Sequence, residues 1–304
     1  MELAMETFGA VASRWHADNI RKWSAPVAAR IARHFAEDCG PLLDRTVDTI
    51  TAQQILHIVK QKERTGPDMA RRLLGYISRV LDYAVAYGYR EYNPGRSLHV
   101  ALMPRQHGAF AAIHPNRMPE FLSAVEKHTP APTATKTAFL LLTYTAVRRS
   151  EAVYATWPEI DLETKTWAIP AARMKMRRDH IVPLANQVAA LLKNWKELCP
   201  KSESQWLFPG RGKNRADRPI NPWGPLYLIR NAGFGGVMTV HGLRKVFSTV
   251  AHEAGCWEID VIETQLAHKI PGVRGIYNHA TYLQRRRELM QWYADTIDHW
   301  KAAS

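Results

Sequence analysis

The apolar positions divide the chain into long helical stretches and one short region of alternation. Phe8, Val11 and Trp15 recur at helical spacing, residues 51–63 (TAQQILHIVKQKE) are amphipathic, and Leu74, Ile77, Leu81 and Val85 mark a longer helix. Gly88 and Asn93-Pro94-Gly95 supply its stop signals. Residues 1–104 therefore read as a small helical bundle. The stretch 103–116 (MPRQHGAFAAIHPN) has no sustained period and carries Pro104, Gly108 and Pro115, so residues 105–116 are expected to be a linker to a second domain over 117–304.

Residues 117–128 and 133–145 are again helical, and then the period changes. In 159–170 (EIDLETKTWAIP) Ile160/Leu162 and Trp167/Ile169 alternate around a polar Glu-Thr-Lys turn, which predicts a hairpin, and 180–184 (HIVPL) predicts a third strand. Helical spacing resumes at 186–198. In 239–255 (TVHGLRKVFSTVAHEAG) Thr239 is placed as an N-cap, with Leu243, Val246, Phe247 and Val250 on one face and His241, Arg244 and Ser248 on the other. The expected fold class is mainly α with a small antiparallel sheet (α+β).

Size and composition suit two soluble domains. The chain has 304 residues, 46% of them hydrophobic, with ten Trp. Its formal net charge is +13: residues 1–104 hold 14 basic and 11 acidic side chains, residues 105–304 hold 27 and 17, so most of the excess lies in the second part. That balance points to a polyanionic partner, with nucleic acid the first candidate. Cys39, Cys199 and Cys256 form neither a disulfide framework nor a zinc pattern, which suits a reducing cytoplasm. The start, MELAMETFGA, lacks a signal peptide's positive and apolar regions, and the apolar run near 138–147 is too short to span a bilayer, so no membrane association is expected. The basic loop 208–224 (FPGRGKNRADRPINPWG) lacks the Gly-Lys-Ser/Thr of a phosphate-binding P-loop.

Taken one at a time, the candidate chemical residues are ambiguous. His241 and Arg244 sit near a helix N-terminus, where backbone N–H groups favour anions, but the pattern equally describes a solvated helix face. Arg148 can form a surface ion pair with Glu151 at i+3, worth little. Lys175, among four basic residues between Arg173 and Arg178, reads as a solvated charge, His268 as a helix cap and Tyr277 as packing.

As an ordered set the same residues resemble the tyrosine recombinases. The matching contexts are the T-x-x-R-x-x-E turn (Thr145, Arg148, Glu151), a lysine in a β-hairpin turn (Lys175), H-x-x-R on a helix (His241, Arg244), L-A-H (His268), and a tyrosine nine residues later (Tyr277). RMKMRRDHIVPL and YNHATYLQRRRELMQWYADTID look most like phage and genomic-island integrases of the satellite-phage type. The resemblance covers essentially the whole chain: 1–104 would be a helical core-type DNA-binding domain and 117–304 the catalytic domain. Two positions depart from the pattern. Ala146 stands where the family usually has Gly, and the sequence starts where an N-terminal arm-site-binding domain would end.

The resemblance implies a site-specific recombinase that integrates and excises a mobile element without metal or other cofactor. Tyr277 would be the nucleophile, Arg148 and Arg244 would clamp the non-bridging phosphate oxygens, Lys175 would protonate the leaving 5′-oxygen, His241 would act as acid and base at the tyrosine, and His268 would donate to a phosphate oxygen. Arg149 is left as a solvated or DNA-backbone charge. Tyr282 is a rival nucleophile, although it opens an apolar stripe through Leu283, Met290, Tyr293, Ile297 and Trp300 that favours packing, on its own domain or on a neighbour. Expected partners are the core sequences of attachment-site duplex DNA, a homotetramer on that DNA, and accessory DNA-bending proteins, in the cytoplasm at the nucleoid. A non-catalytic DNA-binding remnant of an integrase, acting as an architectural or regulatory protein, is the alternative, and a type IB topoisomerase would share the chemistry.

Overall fold

The structure, a computed structural model, describes residues 6–104, 111–128, 130–199, 204–210, 218–268 and 280–303. It divides into two compact units, Met1–His107 and Gly108–Ser304. In the first, helices α1 (Phe8–Asn19), α2 (Ala25–Asp38), α3 (Gly40–Leu43), α4 (Ala52–Glu63) and α5 (Pro67–Ala86) enclose a core that includes Phe8, Val11, Trp15, Ile55, Leu74, Ile77 and Leu81. The periodic positions are thus buried. Thr51 begins α4 with a reciprocal cap: its hydroxyl accepts from the Gln54 backbone N–H, and the Gln54 side chain accepts from the Thr51 N–H. α5 ends at Ala86, ahead of Asn93-Pro94-Gly95, with Gly88 just beyond it in the left-handed region (φ 74°).

The second unit holds α6 (Met118–Lys127), α7 (Thr133–Thr145), α8 (Arg149–Val153), α9 (Asn186–Leu198), α10 (Gly224–Ile229), α11 (Val240–Glu253), α12 (Ile259–Gln265) and α13 (Leu283–Ala302). Its sheet is antiparallel in the order β1 (Ile160–Asp161), β2 (Thr166–Ile169), β3 (His180–Pro183), with Trp167 opposite Val182 and Ile169 opposite His180. β1 stops before Leu162 because the Asp161 carboxylate accepts the backbone N–H groups of Glu163 and Thr164, turning the chain early. Buried Trp167, Ile169 and Val182 join Phe139, Leu142, Leu243, Val246 and Phe247 in one core.

The apolar stripe of α13 packs on its own unit. Met290, Tyr293 and Ile297 are buried, and the Tyr293 ring meets Phe247 edge-on at 4.9 Å. Tyr144 donates to Asp298 at 2.7 Å. Among the described residues no helix is long and apolar enough to cross a membrane.

Candidate active site

Arg148 stands where α7 gives way to α8. α7 closes on Ala146, which is fully buried and left-handed (φ 53°), a conformation that glycine adopts most readily. The chain then extends through Arg148, whose backbone N–H donates to Oε2 of Glu151 (2.7 Å) while its Nη1 donates to Oε1 (2.9 Å). Glu151 is only 2% exposed, so this is no loose surface pair. Both carboxylate oxygens are spent on one arginine, and Nη2 of Arg148 donates to the carbonyl of Ala267 (3.1 Å). The result is an arginine whose remaining N–H groups have a set direction.

The N-cap expected at Thr239 is present, its hydroxyl accepting from the Gly242 N–H at 2.9 Å. Arg244, one face round from the core positions, is nonetheless 4% exposed, because it reaches back into the protein. Nη1 donates to the carbonyl of Ala146, Nη2 to that of Leu266 (2.7 Å), and Nη2 also lies 3.3 Å from Nε2 of His268. Burial, and after it the charge of Arg148, pushes the Arg244 pKa down to about 10, so the guanidinium stays charged near neutrality. His241 is exposed on the same helix. Partial removal from water, followed by Arg244, Arg148, His268 and Lys175, lowers its pKa and favours the neutral imidazole that a proton acceptor needs.

Those four causes also show convergence: Lys175, exposed in the turn joining β2 to β3, is near enough for its charge to act on His241. Buried Met174 pins that turn, and Arg173 ties it to α8 by donating to the carbonyls of Glu151 (2.6 Å) and Tyr154. Arg173 therefore anchors rather than contributing a solvated charge. His268 follows a second left-handed residue, Ala267 (φ 48°), which ends α12 and turns the imidazole toward Arg244. The structure thus brings Arg148, Lys175, His241, Arg244 and His268 into one cationic cluster, moderated by Glu151 and Glu263. Tyr277 lies outside the described residues. Tyr282 is left-handed at the N-cap of α13, with its hydroxyl 3.5 Å from Asp260.

Three buried side chains that the sequence did not single out lie behind the cluster, and two of them tie its elements together. Gln265 donates to the carbonyl of Thr145 (3.0 Å), and its Oε1 accepts from Nε and Nη2 of Arg286 (3.0 and 2.7 Å). Arg286, 2% exposed, donates also to the carbonyl of Ile181 on β3 (2.7 Å). One polar pair thereby joins the end of α7, the strand after the Lys175 turn, the helix before His268 and the first turn of α13. His180, the third, is kept neutral by burial and then by Arg286, its pKa pushed down to about 3.

Arg149 does not stand free in solvent: its guanidinium stacks 3.8 Å from the centre of the Trp223 ring, and burial lowers its pKa. Gly242, beside His241, is required by a close approach, since an added Cβ would lie 2.5 Å from the Ala111 carbonyl oxygen and 2.9 Å from Sδ of Met238. Gly242→Ala is expected to cost about 1–3 kcal/mol through overpacking. Denaturant unfolding would check it, an unchanged midpoint counting against the crowding.

The family profile described as the phage integrase family matches residues 112–284, and the phage integrase central domain matches residues 8–101. Prophage integrase IntZ of Escherichia coli (strain K12) is 37% identical over 292 residues, covering 96% of this chain and 71% of the relative. The integrase of Shigella phage Sf6 is 34% identical over 298 residues, covering 96% and 75%. Among solved structures, a lambda integrase tetramer bound to a Holliday junction superposes with a TM-score of 0.67 at 15% identity, over 87% of this chain and 78% of that one, a likeness of fold.

Proposed function

The chain belongs to the phage integrase family of tyrosine recombinases, and from that premise we propose that it is a site-specific DNA recombinase acting through residues 148, 175, 241, 244, 268 and 277 to integrate and excise a mobile element. The observation that carries the site assignment is the double use of Arg244. It grips the main chain of both the Arg148 turn and the His268 turn, so two arginines and a histidine face one small volume with their spacing set by buried hydrogen bonds. Such a preorganised cationic cluster suits a phosphodiester that gains charge in its transition state.

In the proposed reaction the Tyr277 phenolic oxygen attacks phosphorus and its proton passes to neutral His241. Arg148 and Arg244 bind the non-bridging oxygens, with His268 donating to one of them. The bond from phosphorus to the 5′-oxygen breaks, and Lys175 delivers a proton to that oxygen. A 3′-phosphotyrosyl protein and a free 5′-hydroxyl result. Rejoining reverses these steps with another 5′-hydroxyl, so the linkage conserves the phosphodiester energy.

The first unit supplies the binding of core DNA in this reading. Asp68, Arg71, Arg72, Gly75, Tyr76 and Arg79 line a groove along α5, with Arg72 and Arg79 exposed seven residues apart on one face. Arg72→Ala combined with Arg79→Ala is expected to weaken DNA binding across sequences and to flatten the slope of log K against log salt by about 2. A tetramer on two duplexes is proposed here too, lambda integrase having been solved as a tetramer bound to a Holliday junction. Cytoplasmic action at the nucleoid with DNA-bending accessory proteins completes the proposal.

The test uses a duplex selected from a randomised pool by binding to the full chain, then nicked so that cleavage releases a short strand and traps the protein on DNA. With EDTA present, a covalent adduct whose exhaustive digestion leaves phosphotyrosine is the expected result. Specific binding without an adduct would favour the non-catalytic architectural reading.

A further inference from the structure

His268 makes two contacts that together dictate its ring. Its Nδ1 lies 2.9 Å from Oε2 of Glu263, five residues earlier on α12, and its Nε2 lies 3.3 Å from Nη2 of Arg244. The guanidinium can only donate, so Nε2 accepts there and the ring proton resides on Nδ1, where the carboxylate receives it. The backbone adds to this: the His268 N–H donates to the carbonyl of Glu263 at 3.0 Å, and left-handed Ala267 bends the chain so that side chain and main chain both return to the same residue. Glu263 is partly exposed, pairs with His268, and its charge opposes part of the lowering of the Arg244 pKa.

We infer that Glu263 is a positioning residue: it holds the His268 imidazole by Nδ1 so that Nε2 is presented beside Arg244, at the place where a phosphate oxygen would be bound. It does not touch DNA in this scheme. A carboxylate on Nδ1 sets the tautomer and orientation of an imidazole whose other nitrogen does the work, as in other sites built on a carboxylate and histidine pair. When a phosphate oxygen replaces the guanidinium as neighbour of Nε2, the partly exposed imidazole takes a proton from solvent at that nitrogen and donates it in a hydrogen bond, while Nδ1–H keeps its bond to the carboxylate. The inference rests on the proposed role of His268 as a phosphate-oxygen donor.

The experiment measures single-turnover adduct formation by the full chain on the nicked, selected duplex, at protein concentrations that saturate binding. Wild type is compared with Glu263→Ala, Glu263→Gln, His268→Ala and the Glu263→Ala/His268→Ala pair. Glu263→Ala is expected to slow the adduct about tenfold and to leave the Kd for the duplex within about twofold. Glu263→Gln, which still accepts from Nδ1–H, is expected to recover to within about threefold of wild type. In the His268→Ala background, Glu263→Ala is expected to slow the adduct by no more than about twofold further, because the route through the imidazole has gone and only its weaker charge effect on Arg244 remains. Nitrogen-15 chemical shifts of His268 provide a readout independent of cleavage: protonation at Nδ1 in wild type, and a mixed tautomer in Glu263→Ala.

A tenfold loss that persists undiminished in the His268→Ala background would overturn the inference, as would a matching loss of DNA affinity or a Glu263→Gln chain no better than Glu263→Ala. If His268→Ala slows the adduct but Glu263→Ala does not, the role of His268 stands and that of Glu263 falls. If His268→Ala itself cleaves at the wild-type rate, the underlying reading of His268 fails and takes the inference with it.

Discussion

A Tyr277→Phe chain is expected to form no covalent adduct on nicked DNA, a fall of at least about 10⁴-fold, while binding the same duplex within about twofold of wild type. Phenylalanine keeps the ring and removes only the oxygen that would be joined to phosphorus. Tyr282→Phe is expected to cleave within about threefold of wild type. The reason lies in α12: Tyr282 directs its hydroxyl to Asp260 in the first turn, whereas His268 follows the last. At 1.5 Å per residue the two ends are on the order of 10 Å apart, too far for Tyr282 to share a phosphate with His268 while it holds that contact. Denaturing gels with EDTA present decide the matter. An adduct that survives Tyr277→Phe and disappears in Tyr282→Phe would move the nucleophile to position 282.

Replacing Arg244 by Lys, a change that keeps the formal charge, is expected to slow adduct formation by about 10²–10³ at neutral pH. Arginine spans two carbonyls, those of Ala146 and Leu266, and a lysine has one nitrogen for both. The carbonyl left unpaired costs about 1–3 kcal/mol, which in a unit of this size lowers Tm by roughly 2–10 °C. The charge itself also becomes insecure. Burial and Arg148 bring the arginine down to about 10, and the same two causes would lower a lysine from a lower ordinary value. Neutral lysine would accumulate as pH rises, so the residual rate of Arg244→Lys should fall with rising pH more steeply than that of wild type. A folded Arg244→Lys chain with wild-type cleavage would remove Arg244 from the clamp.

Much of the local architecture was legible in residue order because it depends on near neighbours. Thr239 caps α11 through an N–H three residues away, and the alternation around Trp167 and Ile169 does form β2 against β3. The stop at Gly88 follows from the backbone freedom of glycine, whereas Ala146 takes the left-handed region against the preference of a residue with a Cβ. Helical spacing alone could not say whether Arg244 faced water. Its buried state depends on carbonyls 98 and 22 residues away, and no period within α11 reports them.

The residue types of the proposed site and their order, including Tyr277, came from the sequence, since they are what the resemblance to tyrosine recombinases consists of. The arrangement of Arg148, Lys175, His241, Arg244 and His268 came from the tertiary structure. Glu151 converts an i+3 pair of little expected worth into a rigid arginine mount because folding buries the carboxylate. Gln265 and Arg286 unite four elements through contacts across 21 to 120 residues. Glu263 meets His268 because Ala267 turns left-handed at the end of α12. Sequence therefore determined which groups are available and which elements carry them. Only the packed chain decided which of those groups are buried, where water is excluded and each polar atom must take the nearest partner that the fold supplies.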